Sequence, residues 1–260
     1  MSKFIKTPAQ IEGIRTSCRE MARIFAAVAQ MVKPGVTTVQ IEEETCRLIA
    51  EVGGKPAFKG YKTHKRAIPF PSALCISINE EIVHGPAYPS REFMEGDIVG
   101  IDVGMQLNGY FSDMARTLAV GNISPKAQKL LDVTSQALEI GTAQMLPGNT
   151  LNDIGAAIQK HVEGAGFGVV RELVGHGVGL GVHEDPQIPH YNIKESGLPN
   201  VRLEPGMVLA LEPMVTEGDW RIDIGANGFS FITRDGKLAA HFENTILITK
   251  DGFEVLTKID

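Results

Sequence analysis

Four acidic residues stand beside apolar runs that are typical of buried strands, where Asp and Glu are rare unless their charge is paired or binds a metal. Asp102 and Glu212 each follow such a run, Asp113 lies beyond an Asn-Gly pair, and Glu243 leads a run of β-branched and apolar residues. A single one of them would be interpreted as a solvated charge at the end of a strand. Four at corresponding positions predict a shared cation.

The spacing of the two aspartates supports this interpretation. If residues 108–109 (Asn-Gly) form the loop of a two-residue hairpin, Asp102 faces Ala115 and Asp113 faces Gly104. The two carboxylates are then diagonal neighbours on one face, with Cα atoms roughly 7–8 Å apart. At that separation they repel each other unless a cation lies between them, although a bulge would change this register.

The stretch LVGHGVGLGVHEDP at residues 173–186 is glycine-rich, which is typical of phosphate-binding loops as well as of irregular strands. The dinucleotide fingerprint fails here, because Leu180 and Val182 stand where it needs glycine. The proline at the end of the stretch also blocks the helix that should follow. His176 and His183 remain as the functional groups, and a metal or catalytic function is favoured over phosphate binding.

The other histidines differ in their surroundings. His84 follows a short strand-like run and precedes a Gly-Pro turn, a common place for catalytic side chains. A structural role is the default interpretation for the rest, which are His64, His161, His190 and His241.

Helices and strands that could position these residues repeat along the chain. The spacing of apolar residues and the capping signals predict four helices: from Thr7-Pro8 to Lys33-Pro34, from Thr37 to Gly53-Gly54, from Ser124-Pro125 to Pro147-Gly148, and one running into Gly164. Residues 96–102 also parallel residues 206–212, at an offset of 206 − 96 = 110. Each half therefore contains two helices and a buried strand that ends in a carboxylate.

Two repeats are too few for a solenoid, so we expect one pseudo-symmetric domain over residues 1–260, with halves at about 1–120 and 121–260. The acidic residues should meet between these halves. The net charge of −6 argues against a surface that binds DNA throughout. Three cysteines without CxxC spacing indicate neither a disulfide framework nor a thiolate zinc site. There is no signal-peptide or transmembrane pattern, so a cytoplasmic protein without a membrane partner is expected.

Together these motifs resemble a type I methionine aminopeptidase of the short bacterial form, and the resemblance covers nearly the whole chain. It rests on His84, Asp102 and Asp113 in IDVGMQLNGYFSDMA, His176 and His183 in GHGVGLGVHEDP, Glu212 in LEPM, and Glu243 in FENT. The resemblance implies the α/β (α+β) pita-bread fold. In this fold two pseudo-symmetric halves place antiparallel strands around a central dinuclear metal site, with helices outside.

The resemblance also implies the roles of the residues. Five of them would be metal ligands: Asp102, Asp113, His176, Glu212 and Glu243, with Asp113 and Glu243 bridging. Two divalent ions (Co, Mn, Fe(II) or Zn) would hold a bridging hydroxide that removes the N-terminal methionine of nascent or newly made proteins. Glu212 would shuttle the proton, His183 would steady the oxyanion, and His84 would contact the scissile amide.

The sequence departs from the family in the region of the methionine pocket. The segment between Tyr61 and Phe70 is longer than in the most compact members, and Phe58 and Phe229 stand where cysteine and tryptophan are common. The candidates for the pocket are Phe58, Tyr61, Phe70, Cys75 and Phe229. For Phe58 and Phe229, ordinary core packing is an equally open alternative.

Partners and alternative functions complete the predictions. We expect a monomer that acts on N-terminal methionine peptides and nascent chains. The basic cluster Lys59, Lys62, His64, Lys65 and Arg66 is either a solvated loop or a contact with ribosomal RNA. The alternative functions are a proline-directed aminopeptidase of the same fold, whose relatives carry an extra N-terminal domain, and a non-catalytic pita-bread binding protein, which would have lost ligands.

Overall fold

The helices begin at the capping residues that the sequence predicts. The computed structural model describes residues 4–62, 64, 67–194 and 196–259, and within them the helices are α1 (Pro8–Ala29), α2 (Thr38–Glu51), α3 (Pro125–Ala143) and α4 (Leu151–Gly164). Thr7 and Thr37 form capping boxes with the glutamine three residues later, and Ser124 caps α3. Helix α1 ends at Ala29, four residues before the predicted break at Lys33-Pro34. None of the described helices combines the length and hydrophobicity needed to cross a bilayer.

Strands form most of the remaining ordered structure. Those in the described segments are β1 (Lys55–Pro56), β2 (Leu74–Ile78), β3 (Glu81–Val83), β4 (Ile98–Leu107), β5 (Tyr110–Ala119), β6 (Gly168–Val169), β7 (Gly175–Gly177), β8 (Glu184–Ile188), β9 (Val208–Leu211), β10 (Met214–Thr216), β11 (Ile222–Ile224), β12 (Phe231–Thr233), β13 (Ala239–His241), β14 (Asn244–Ile248) and β15 (Phe253–Val255). They pair antiparallel in four sheets: β1–β4–β2 with β5 on β4, β13–β10–β6, β11–β12–β3, and β15–β14–β9–β7–β8.

The β4–β5 hairpin has the predicted register. Asp102 pairs with Ala115 and Asp113 pairs with Gly104, without a bulge. The turn at residues 108–109 has φ values of 52° and 87°, which suit the Asn-Gly pair of a tight hairpin. Both aspartates therefore lie on the same face of this sheet.

The expectation that a buried strand ends at Asp102 is wrong. Strand β4 continues to Leu107, because the tight turn extends both strands of the hairpin beyond the carboxylate. Asp102 is consequently held in mid-strand, opposite Cys75 of β2 on one side and Ala115 of β5 on the other. Glu212, in contrast, does follow its strand, since β9 ends at Leu211.

Strand β5 of the first half meets the segment at 241–245 of the second half. The junction consists of three contacts spaced by two residues: Thr117 Oγ1 with the backbone of His241, the bridge between Ala115 and Glu243, and Thr245 Oγ1 with the backbone of Asp113. In the last contact the hydroxyl donates to the carbonyl at 2.7 Å and accepts the N–H at 3.2 Å. This alignment brings Asp113 and Glu243 onto facing strands.

Each half has a large apolar core of its own. The buried members of one cluster lie between Met21 and Val120, and those of the other lie between Ala127 and Ile248, apart from Ile98. Helix α1 packs on β4 and β5, whereas α3 and α4 pack on each other and on strands of the second half. The two cores hold the junction of β5 with residues 241–245 between them.

Candidate metal centre

The predicted ligands converge at the junction between the halves. Their ligand atoms lie within 4.8 Å of one another in three overlapping groups: Asp102, Asp113 and Glu243; His176, Glu212 and Glu243; and Asp113, His176 and His183. All five predicted ligands therefore belong to one cluster. His183 offers a nitrogen to the same cluster, so its assignment as a catalytic residue outside the ligand set stays a prediction.

The alternating glycines place His176 in the cluster. His176 is the central residue of the short strand β7, which lies between β8 and β9. A Cβ atom at Gly175 would lie 2.5 Å from the carbonyl oxygen of Ala210, and one at Gly177 would lie 2.4 Å from that of Asp185. Glycine is thus required because neighbouring backbone approaches closely, as the sequence predicts for an irregular strand.

Three buried carboxylate oxygens lack a hydrogen-bond partner among the described residues: Asp102 Oδ1, Asp113 Oδ1 and Glu243 Oε1. Burial raises the pKa of Asp102 to about 7. Burial and the neighbouring carboxylates raise the pKa values of Asp113 and Glu243 well above their ordinary values. A buried carboxylate without a partner is costly, and a divalent cation would satisfy all three oxygens. The donor set therefore fits a metal.

The tautomer of His176 suits a ligand. Its Nδ1–H donates to the carbonyl oxygen of Gly177 at 3.0 Å, which leaves a lone pair on Nε2. Nε2 lies 3.3 Å from Glu212 Oε1 and 3.9 Å from Asp113 Oδ2. Burial lowers the pKa of His176 to about 3, so the imidazole is neutral at pH 7. A lone pair that faces two carboxylates requires a cation between them.

His84 and His183 both lie close to His176 of the cluster. His84 directly follows β3 with a φ of 62°, a backbone conformation that is uncommon outside glycine and recurs at functional sites. Burial lowers its pKa to about 4, and its ring contacts Phe231 with centroids 5.5 Å apart. The ring of His183 lies 4.5 Å from that of His176 and 4.8 Å from that of Tyr61. The structure thus brings both predicted catalytic histidines to the centre.

The five pocket candidates form one apolar group beside the centre. Phe58, Cys75 and Val182 are buried together, with Tyr61 and Phe70 packed against them, and Phe70 contacts Phe229 with ring centroids 5.7 Å apart. Cys75 links this group to the carboxylates, because it pairs with Asp102 across β2 and β4. Binding of a substrate side chain by these residues stays a prediction. Val182 belongs to this group without having been predicted, although its position next to His183 was a signal for it.

Two histidines that were assigned structural roles also lie at the centre. His190 Nε2 accepts the backbone N–H of Glu212 at 3.4 Å, and His241 Nε2 lies 3.6 Å from Glu212 Oε2. Burial lowers the pKa of each to about 3. The signal for His241 was its position two residues before Glu243, which places both on one face of an extended segment. His161, in contrast, pairs with the carbonyl oxygen of Val133 on helix α3.

The basic cluster is only partly described. Lys59 Nζ lies 3.6 Å from Glu42 Oε1, and Lys62 is exposed. Lys65 and Arg66 lie outside the described residues. The choice between a solvated loop and an RNA contact therefore stays open.

Four carboxylates and a neutral imidazole, set beside an apolar group and two further histidines, define the site of a metal-dependent hydrolase. The model of metallopeptidase family M24 matches residues 12–250. A methionine aminopeptidase of Bacillus subtilis is 45% identical over 255 residues, which cover 98% of each chain. The chain belongs to metallopeptidase family M24 and, within it, to the methionine aminopeptidases.

Solved structures agree with this assignment. The crystal structure of a methionine aminopeptidase from Thermotoga maritima superposes with a TM-score of 0.91 at 42% identity, covering 98% of both chains. A prolidase from Pyrococcus furiosus gives a TM-score of 0.78 at 24% identity, covering 99% of this chain and 66% of the prolidase, and this likeness shows the fold alone. The predicted family and the pita-bread fold are therefore confirmed.

Proposed function

We propose that this chain removes the N-terminal methionine from peptides and from newly made or nascent proteins, as a cytoplasmic monomer whose residues 1–260 form a single catalytic domain. The observation that carries the proposal is the convergence of four carboxylates and His176 directly beside an apolar group. Relatives named methionine aminopeptidase, at up to 45% identity over 98% of the chain, support the same activity.

In this proposal two divalent ions are held by Asp102, Asp113, His176, Glu212 and Glu243. Asp113 and Glu243 would be the ligands shared by both ions, as the family resemblance implies, and they lie close together at the junction of the two halves. Oxygen-rich sites with one imidazole suit Mn, Fe(II) or Co, and Zn also binds such donors. When bound, such ions polarise a scissile carbonyl and lower the pKa of water.

The protein's own side chains orient the peptide and handle protons. His84 hydrogen-bonds the scissile amide, and His183 donates to the carbonyl oxygen as negative charge develops on it. Glu212 accepts a proton and returns it to the departing amine. Its backbone is fixed by the hydrogen bond to His190, and burial raises the pKa of its carboxyl well above the ordinary value. In metal-free protein this carboxyl therefore keeps its proton to higher pH than an exposed glutamate does.

The first side chain of the substrate lies in the apolar group formed by Phe58, Tyr61, Phe70, Cys75 and Phe229. The unbranched thioether side chain of methionine matches an apolar pocket that is lined by aromatic rings and a buried thiol. A charged side chain would lose its hydration there without gaining a partner.

The experiment supplies metal-free protein with each ion in turn and measures amino-acid release from Met-Ala-Ser, Lys-Ala-Ser and Ala-Pro-Ser peptides. We expect methionine release, slow release of lysine, and no release without metal. The Asp113→Asn variant should be inactive in the same assay. Release of the residue preceding proline without release of methionine would instead establish the proline-directed alternative, and no release with any ion would favour a binding protein.

We further propose that the basic residues at 59–66 contact ribosomal RNA near the nascent chain. The support is a local basic cluster in a chain whose net charge is −6. The ion pair of Lys59 with Glu42 is consistent with a solvated loop as the competing explanation.

A further inference from the structure

The β11–β12–β3 sheet has an apolar face that runs from the active site to solvent. Val83 pairs with Phe231, and Phe231 pairs with Ile224, so these three side chains lie on one face of the sheet. Val83 is buried, Phe231 is half-buried, and Ile224 is 65% exposed. Phe231 also contacts the ring of His84, so the exposed end of this face continues directly from a proposed catalytic residue.

A second exposed apolar side chain lies on the loop that carries Phe70 of the pocket. Ile68 is 76% exposed and lies two residues before Phe70 of the pocket. The base of its loop is closed by two backbone hydrogen bonds, from Gly60 N–H to Phe70 O at 2.8 Å and from Phe70 N–H to Tyr61 O at 2.9 Å. Phe70 contacts Phe229, which lies in the turn between β11 and β12. Ile68 and Ile224 therefore belong to two segments that meet at the pocket.

Exposure of two large apolar side chains next to an active site needs a reason, because neither contributes to a core. The β11–β12 hairpin borders the pocket through Phe229 and borders His84 through Phe231. A peptide whose first side chain fills the pocket must leave the site past one of its borders. The apolar face that ends at Ile224 reaches His84 through Phe231. In the proposed function His84 holds the scissile amide of the peptide.

We propose that Ile224, together with Ile68 on the loop that carries Phe70, binds an apolar side chain of the substrate beyond the scissile bond. The occupant is the peptide substrate itself, so this inference rests on the proposed aminopeptidase activity. Neighbouring strands are about 4.8 Å apart, so Ile224 lies two spacings, or about 10 Å, from β3 and His84. Extended chain covers that distance in about three residues. The third or fourth residue of the substrate therefore reaches Ile224.

The test compares peptides of the form Met-Ala-Ser-Ser-Ser-amide in which leucine replaces each serine in turn. Burial of one methylene group changes binding by about fourfold, so leucine at the third or fourth position should raise kcat/KM by about 4- to 20-fold over serine. The gain should appear in KM, because this contact is made equally in the ground state and the transition state. In Ile224→Ser this leucine-to-serine ratio should fall to about one or two, and Ile68→Ser should lower it less.

The matched control is Met94→Ser. Met94 is 59% exposed and lies in the turn before β4, where Asp97 accepts its N–H, so this substitution should leave the ratio unchanged. A wild-type ratio near one at every position would overturn the inference, and so would a ratio that survives in the Ile68→Ser/Ile224→Ser double variant. Methionine release from all of these peptides would still uphold the proposed function. Absence of release from every peptide by the metal-loaded wild type would refute the proposed function itself.

Discussion

Removal of metal should make the stability of this protein depend on pH in an unusual direction. Four buried carboxyls surround the centre, and the pKa of each is raised, chiefly by burial. Such groups hold protons in the folded state that the unfolded chain has already released. Their contribution to stability is present below the ordinary pKa of about 4 and is lost as pH rises through the folded value. The free energy of unfolding of metal-free protein should therefore fall as pH rises.

The magnitude follows from Asp102, whose pKa is raised from 3.8 to about 7. At about 1.4 kcal/mol for each pKa unit, full ionisation of this carboxyl lowers the free energy of unfolding by about 4 kcal/mol. Each further carboxyl that stays protonated lowers it by about 1.4 kcal/mol for every pH unit. Between pH 6.5 and 8 the loss should be about 1 kcal/mol from Asp102 and about 2 kcal/mol more for each further carboxyl that stays protonated, at about 2–4 °C of Tm for each kcal/mol.

Histidines do not reverse this slope in that range. Burial lowers the pKa values of the histidines at the centre, among them His176 at about 3 and His84 at about 4. The stability that they contribute is present above their unfolded pKa of 6.5 and is lost only as pH falls. At pH 6.5 about half of each unfolded histidine is still protonated, so the five histidines with lowered pKa values together return about 2 kcal/mol between pH 6.5 and 8, less than is lost once Asp102 and at least one further carboxyl are counted.

The assay is urea or thermal unfolding at pH 6.5, 7.25 and 8, with chelator and with excess Mn²⁺. Metal-loaded protein should gain stability over the same range, because binding to the folded state stabilises it and requires deprotonated ligands. Asp113→Asn should flatten the metal-free slope and abolish most of the gain from metal. Asp132→Asn, on the exposed face of α3, is the control and should change neither. Metal-free stability that rises between pH 6.5 and 8 would refute the reasoning.

Three further predictions concern activity and partners. His183→Ala should lower kcat by about 10²–10³-fold and keep its normal metal content, whereas Asp113→Asn should lose metal. Equal loss of metal in both variants would instead make His183 a ligand. Norleucine peptides should be cleaved within about 10–200-fold of methionine peptides, and lysine peptides cleaved as fast as methionine peptides would contradict the apolar pocket. Neutralising the four Lys and Arg residues of the 59–66 loop should weaken co-sedimentation with ribosomes and flatten the salt dependence of this binding. Unchanged co-sedimentation would show that the loop is a solvated surface and not an RNA contact.

Local signals in the sequence were sufficient where the chemistry of a few neighbouring residues determines the structure. The Asn-Gly pair at 108–109 determines the register of β4 with β5, and that register determines the relation of Asp102 to Asp113. The capping boxes at Thr37 and Thr7 determine where helices begin. In each case the determining contacts lie within a few residues of one another in the chain.

Long-range contacts could not be predicted in the same way. His190 and His241 reach Glu212 only because β9, β13 and the segment after β8 come together, and no periodicity within any one of them indicates the others. The same holds for Val182, whose burial beside Phe58 joins residues more than a hundred positions apart. Resemblance to a family supplied the ligand set, but it did not supply these neighbours.

The junction at β5 explains why the ligand set needs both halves. Asp102 and Asp113 lie on one hairpin, where burial and the charge of the Asp102 carboxylate raise the pKa of Asp113. Glu243 from the second half, which pairs with Ala115, adds a third carboxylate whose oxygen lies within 4.8 Å of both, although an apolar residue there would pack without this cost. Cations at the junction would relieve the repulsion among these carboxylates, so metal binding should strengthen the docking of the two halves. The metal should therefore stabilise the contact of Thr245 with Asp113, and amide exchange at Asp113 should slow on metal addition while exchange in helix α2 stays unchanged.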